Sequence, residues 1–170
     1  FMGRHDMERQ RIQVFRMRSL GTEVVPCDQG SKTLVEAVSS CIRYYTANCD
    51  RVHMCVGSCV SATIWVKICA WAQSIIGKEM EEQMIDMFGK IPDKLNIVCA
   101  IGGGSSSYGT FNNFIPMENV ILTGIEAGGP QGKNNGADSL SRGKIGVLHG
   151  SKSYLLQDDN AQVSNTTSIS

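Results

Sequence analysis

NIVCAIGGGSSSYGTF, residues Asn96 to Phe111, is the stretch whose reading decides the fold. Its apolar run, Ile97-Val98-Cys99-Ala100-Ile101, has the length and continuity of a strand buried on both faces. Gly102-Gly103-Gly104 ends the run abruptly, and Ser105, Ser106 and Ser107 follow at the start of a segment able to form a helix. A strand, a glycine turn, hydroxyls and a helix start together make an anion cradle. Glycines let backbone N–H groups approach the ligand closely, serines add donors, and the helix N-terminus carries partial positive charge. No Lys follows the glycines, so this is not a Walker loop, and the spacing is not that of a dinucleotide fingerprint. The pattern points to a phosphate-like anion; the structural alternative is a plain tight turn between strand and helix.

Working outward, helices and strands alternate. Ile12, Phe15 and Leu20 sit at helical spacing within residues 6–20, and Gly21 is placed to close that helix. Glu23-Val24-Val25-Pro26 reads as a short strand. Ser31 or Thr33 can cap a second helix, with Leu34, Val38, Cys41, Ile42 and Tyr45 on its inward face. His53-Met54-Cys55-Val56 reads as a further strand. Ile64, Ile68, Trp71 and Ile75 predict a helix, which Met80, Met84 and Met87 carry past Gly77 to Gly89; these methionines read as core filler. Beyond the glycine loop come a helix to about Phe114, a strand from Val120 to Ala127, and a long Gly/Asn/Ser-rich loop over 128–146. Val147-Leu148 and Tyr154-Leu155-Leu156 are short apolar runs. Such alternation predicts an α/β architecture with a largely parallel sheet.

Composition sets the bounds. The chain has 170 residues, 42% of them apolar, and its sixteen basic and sixteen acidic side chains cancel. That balance supplies no pull toward nucleic acid or membrane, and no apolar run is long enough for a membrane span. The seven cysteines include no CxxC pair. His53, Cys55 and Cys59 lack zinc-site spacing, so reduced, mostly buried thiols of an intracellular protein are expected. His5 and Asp6 read as solvated, and Glu126, at a strand end, reads equally as a site residue or a structural carboxylate.

At the glycine loop the chain resembles the β subunit of tryptophan synthase, a pyridoxal-phosphate (PLP) lyase of fold type II in tryptophan biosynthesis. The likeness runs through all 170 residues. It is carried by Glu8-Arg9-Gln10 with Val14-Phe15-Arg16-Met17-Arg18, by Gly30-Ser31-Lys32-Thr33-Leu34, and by Gln73-Ser74-Ile75-Ile76-Gly77-Lys78-Glu79. Gly102-Gly103-Gly104-Ser105, Gly124-Ile125-Glu126-Ala127-Gly128-Gly129, Gly146-Val147-Leu148-His149-Gly150 and Leu156-Gln157-Asp158 complete it. Other fold-type II lyases share the glycine loop but not the first and penultimate of these segments.

The resemblance implies an incomplete three-layer fold-type II enzyme. Residues 1–72 would belong to the N-terminal domain with its mobile communication region, and 73–170 to the C-terminal domain. Gly102, Gly103, Gly104, Ser105 and Ser106 would hold the PLP phosphate, Ser106 replacing the family's usual Asn. Ile101, Gly102 and Gly136 would offer backbone carbonyls to a monovalent cation, and Leu148 and His149 would line the indole tunnel. Arg9 matches an arginine whose aspartate partner should fall beyond Ser170. The family joins L-serine to indole, pairs with an α subunit and forms homodimers, in the cytoplasm or, with a transit peptide, in a plastid. Its Schiff-base lysine and acid/base glutamate precede the segment matching Phe1. No catalytic residue is therefore expected here, and the chain alone is expected to be inactive, a truncated remnant that binds PLP, phosphate or a partner. Three family prolines are absent from Ser61-Ala62-Thr63-Ile64-Trp65-Val66, which frees that stretch to be helical. Val35 stands where a lysine contacts the α subunit, leaving that interface weakened.

Overall fold

The computed structural model describes residues 1–129 and 136–163. The chain divides into two compact units, Phe1–Cys55 and Val56–Ser170.

In the first unit, β1 (Met2–Gly3) leads into helices α1 (Arg4–Arg9) and α2 (Arg11–Ser19), then β2 (Pro26–Cys27) and α3 (Leu34–Ala47). β1 and β2 pair in parallel. The single helix expected over 6–20 is two, because Gln10 leaves helical geometry at φ −111° and ψ 43°. Gly21 follows α2 at φ 80°, and the Thr22 N–H returns to the Met17 carbonyl at 3.0 Å, a glycine closure as the sequence predicts. Of the strand expected over 23–26 only Pro26 joins a ladder, with Cys27 after it, since the partner strand is two residues long.

Thr33 caps α3 in a capping box with Glu36. The Glu36 carboxylate accepts the Ser31 hydroxyl at 2.6 Å, the Ser31 N–H at 3.1 Å and the Thr33 N–H at 3.4 Å. Burial opposes its charge, but the hydrogen bonds from Ser31 and Thr33 outweigh that and hold it below the ordinary carboxylate range. Ala37 is the buried residue of α3; of the residues expected on its inward face, Val38, Cys41, Ile42 and Tyr45 are half-buried and Leu34 is 54% exposed. α3 packs against both short strands, and that close approach selects a small side chain. Asp6, expected in solvent, is 6% exposed and accepts Arg9 Nη2 at 2.7 Å, one helical turn on.

The expected strand at 53–56, where the first unit ends in the sequence and the second begins, does not form. Among the described residues it has no ladder partner, and a strand exists only against a neighbour. In the second unit, α4 (Thr63–Gln73) and α5 (Ile75–Phe88) divide the long predicted helix at Ser74, whose hydroxyl bonds back to the Trp71 carbonyl at 2.7 Å. α5 runs through Gly77 and closes at Gly89, φ 74°. Next come β3 (Leu95–Ala100), α6 (Ser105–Phe111), β4 (Val120–Ile125), α7 (Ser139–Arg142), β5 (Lys144–Leu148) and β6 (Ser151–Leu155). β3 and β4 pair in parallel from Leu95↔Val120 to Ala100↔Ile125.

The described strands form three separate pairs, and the last is antiparallel. The apolar runs at 147–148 and 154–156 are the arms of a hairpin, turned by His149 at φ 51° and Gly150 at φ 77°. A two-residue connection cannot join parallel strands. The loop expected over 128–146 is shorter, because α7 and the start of β5 lie within it; residues 130–135 fall outside the described residues.

The core of this unit gathers fully buried Phe114 with Met84 and Ile97, packed by Met80, Phe111 and Leu122. Met80 and Met84 thus act as core filler, while Met87 is exposed. α6 lies against α4 and α5 at glycine distance. A Cβ on Gly109 would stand 2.4 Å from the Gln73 carbonyl oxygen, and one on Gly77 2.9 Å from that of Gly109. The thiols are less buried than expected: all seven are free, but only Cys27 and Cys69 are buried.

Phe114→Ala removes the large side chain that is fully buried among the described residues and should cost about 3–5 kcal/mol in urea unfolding followed by tryptophan fluorescence; a loss below about 1 kcal/mol would contradict this core. Glu36 contributes stability above its unfolded pKa and loses it as pH falls through the lower folded value. Glu36→Gln should therefore destabilise the chain by about 1 kcal/mol at pH 7, with the difference closing on acidification through and below the carboxylate range, read by far-UV circular dichroism.

Candidate functional site

The glycine turn occupies the C-terminal end of the β3–β4 pair. The Ile101 N–H extends the ladder by one bond to the Ile125 carbonyl at 2.8 Å. Gly124 lies under the Ile101 side chain, where a Cβ would meet Cδ1 at 2.2 Å. Gly104, at φ 81°, turns the chain into α6, and the Ser107 hydroxyl donates to the Gly104 carbonyl at 3.1 Å.

A remote segment fixes the turn from outside. The Gly103 carbonyl accepts the Cys59 N–H at 2.9 Å and the Ser58 hydroxyl at 3.2 Å. A Cβ on Gly103 would stand 2.6 Å from Ser58 Oγ, so only glycine accommodates this latch as it stands. With that carbonyl engaged, the first turn of α6 does not close onto it. Among the described residues, the N–H groups of Gly102 through Ser107 donate to no protein acceptor. Successive unmatched donors at a helix start concentrate partial positive charge, which suits an anion.

Four of these residues, Gly102, Gly103, Gly104 and Ser107, border a cavity of about 340 Å³. Gly102, Gly103, Gly104 and Ser107 form one wall, and Cys59 and Val60 another. Phe111 and Ile115 supply an apolar flank, and Glu126 also lines it. Glu126 Oε1 accepts the Leu140 N–H at 2.9 Å; Oε2 accepts the Ser141 N–H at 2.9 Å and the Ser141 hydroxyl at 2.7 Å. Glu126 thus lines the cavity and caps α7, as its structural-carboxylate reading expects. Burial, with a smaller contribution from nearby Cys69, pushes the Cys59 thiol up, so it is protonated at neutral pH and is no nucleophile.

Of the residues expected at the site, Ile101, Gly102, Gly103 and Gly104 come together in the cavity wall. Ser105 and Ser106 begin α6 and contribute N–H groups to the unmatched series but are not in the wall; buried Ser107 takes that place. Gly136 is buried elsewhere, where a Cβ would fall 2.4 Å from the Gly128 carbonyl and 2.7 Å from both Asp138 Oδ1 and Arg142 Nη2. Arg142 pairs with Asp138 through two bonds of 2.5 and 2.6 Å and holds that carboxyl below its usual range. Leu148 and His149 stand at the tip of the β5–β6 hairpin and are not in the cavity wall. Arg9 is engaged with Asp6. Sequence reasoning missed the Ser58–Cys59 latch, for which no local signal exists across 45 residues.

No protein-family model matches the chain. Curated relatives match it end to end. The tryptophan synthase beta chain of Dinoroseobacter shibae is 42% identical over 173 residues, covering 100% of this chain and 42% of the relative. That of Bordetella parapertussis is 40% identical over 172 residues, again covering 100% and 42%. That of Ruegeria pomeroyi is 42% identical over 173 residues, covering 100% and 41%. The chain is therefore tryptophan synthase beta-like over its whole length, and it spans about two fifths of the length of the curated relatives it matches.

Proposed function

We propose that this chain provides the PLP-phosphate side of a tryptophan synthase beta active site, in a protein that joins L-serine to indole to give L-tryptophan. The observation that carries the reading is the run of unmatched N–H groups from Gly102 to Ser107 beside the cavity, held open by the latch on the Gly103 carbonyl. A Cβ on Gly102 would meet nothing within 4 Å, so a ligand has free approach to the backbone there. The residues present fit a phosphate: Gly102, Gly103, Gly104, Ser105 and Ser106 supply the donors. When bound, PLP supplies the electron sink that lets bonds at the amino-acid α- and β-carbons break and form. This chain's own part is to fix the phosphate, wall the site with Cys59 and Val60, and hold α7 against it through Glu126.

The carbonyls of Ile101, Gly102 and Gly136 are assigned to a monovalent cation, and Leu148 and His149 to the indole passage, on the resemblance alone. So are the division into an N-terminal part (1–72) and a C-terminal part (73–170), cytoplasmic location, and association with an α subunit or a second β chain. Among the described residues, no helix is long and apolar enough to cross a membrane.

Gly103→Asp places a carboxylate in the cradle and against Ser58. PLP binding followed by cofactor absorbance should weaken roughly a hundredfold, about 2.7 kcal/mol. L-tryptophan formation from L-serine and indole should fall with it in a protein containing this segment. Ser58→Ala should weaken binding less, by roughly three- to tenfold, because one of two bonds to Gly103 remains. Unchanged affinity in both variants would remove the cradle assignment, and PLP binding no tighter than inorganic phosphate would reduce the function to anion binding.

A further inference from the structure

Residues 1–20 carry Arg4, Arg9, Arg11, Arg16 and Arg18 against only Asp6 and Glu8, in a chain of zero formal charge. Arg11 and Arg18, seven residues apart, share one side of α2, and Arg4, before the break at Gln10, lies beside the same groove. They line an open groove of about 680 Å³ along α1 and α2, with Glu8 and the apolar Met7, Val14 and Phe15. Arg4 is committed: its Nε and Nη2 bind Asp28 at 2.8 and 2.7 Å. Arg9 is engaged with Asp6. Among the described residues, Arg11 and Arg18 take part in no ion pair. Seven residues of helix set their origins about 10.5 Å apart along α2. Between them Phe15 is 71% exposed, while Val14 is buried beneath.

We infer that this groove is a docking site for an acidic amphipathic helix of a partner protein, its carboxylates paired with Arg11 and Arg18 and its apolar face seated on Phe15 and Met7. Charge complementarity fixes the sign, since the surplus in the groove is cationic. Spacing fixes the form. Carboxylates seven residues apart on a helix match the 10.5 Å step. An extended strand presents same-side groups about 6.8 or 13.6 Å apart, which miss it. The exposed ring between the two guanidinium groups gives the partner's apolar face a seat that a purely polar polyanion does not use.

The test is fluorescence anisotropy with a labelled synthetic helix of about 18 residues, leucines on one face and glutamates seven apart, against the 170-residue chain. The glutamate peptide should bind roughly tenfold or more tightly than its lysine counterpart. Arg11→Glu with Arg18→Glu should weaken it roughly tenfold, and Arg11→Gln with Arg18→Gln by less. Arg16→Glu, outside the groove, should leave it unchanged, and all variants should keep the parent far-UV spectrum. Absence of binding, equal binding of the two peptides, or an equal loss in Arg16→Glu overturns the proposal. So does tighter binding of oligothymidylate or anionic phospholipid vesicles with the same Arg11 and Arg18 dependence, which would make the groove a nucleic-acid or membrane site.

Discussion

The Gly103 carbonyl is the acceptor on which the site depends. In an unconstrained helix start it would take the Ser107 N–H, and the first turn of α6 would begin to satisfy itself. Here Ser58 and Cys59 take it instead, from 45 and 44 residues earlier in the chain. A helix that starts at Gly104 leaves its first N–H groups unmatched in any case; the latch keeps the Ser107 N–H among them, and Gly102, Gly103, Gly104 and Ser107 border the cavity. The cost of leaving N–H groups unmatched is small where water or an anion reaches them and large where neither does. The exposure of Gly102 and Gly103 is what makes the arrangement tolerable without ligand and useful with one.

The latch holds only because α6 is itself fixed. Gly77 and Gly109 let α5, α6 and the end of α4 approach to backbone contact, with no room for a Cβ at either position. Just past α6, Phe114 anchors the same segment in the core with Met84 and Ile97. A seven-residue helix has little stability of its own. Packing at one end and the Gly103 latch at the other convert it into a fixed mount for the glycine turn.

Features that depend on neighbours in sequence were legible before the structure. The strand at 97–100, the glycine turn, the Thr33 cap, the run of α5 through Gly77 and its stop at Gly89 all follow from local chemistry. What sequence misread depends on distant partners. The 53–56 segment has strand composition but no ladder partner among the described residues. The short apolar runs at 147–148 and 154–156 do not declare their antiparallel pairing, which depends on His149 and Gly150 both adopting positive φ. Asp6 looks solvated until Arg9 folds over it. At the site, the glycines were readable and the latch was not, because Ser58 and Cys59 belong to no motif.

The cavity wall also limits what these residues do chemically. Glu126 is the carboxylate in it, and each of its oxygens already accepts hydrogen bonds from the start of α7. Moving a proton through Glu126 would uncap that helix. Cys59 is the thiol in the wall, and burial keeps it protonated and poorly nucleophilic. A wall whose carboxylate is spent on structure and whose thiol is held neutral binds and positions; it does not exchange protons. The unmatched backbone donors need no titratable partner for that work, since an N–H keeps its polarity at every pH at which the fold persists. Anion binding at these donors, as proposed above, would therefore be set by backbone geometry, and would be sensitive to changes at Gly103, Ser58 and the glycine contacts behind α6.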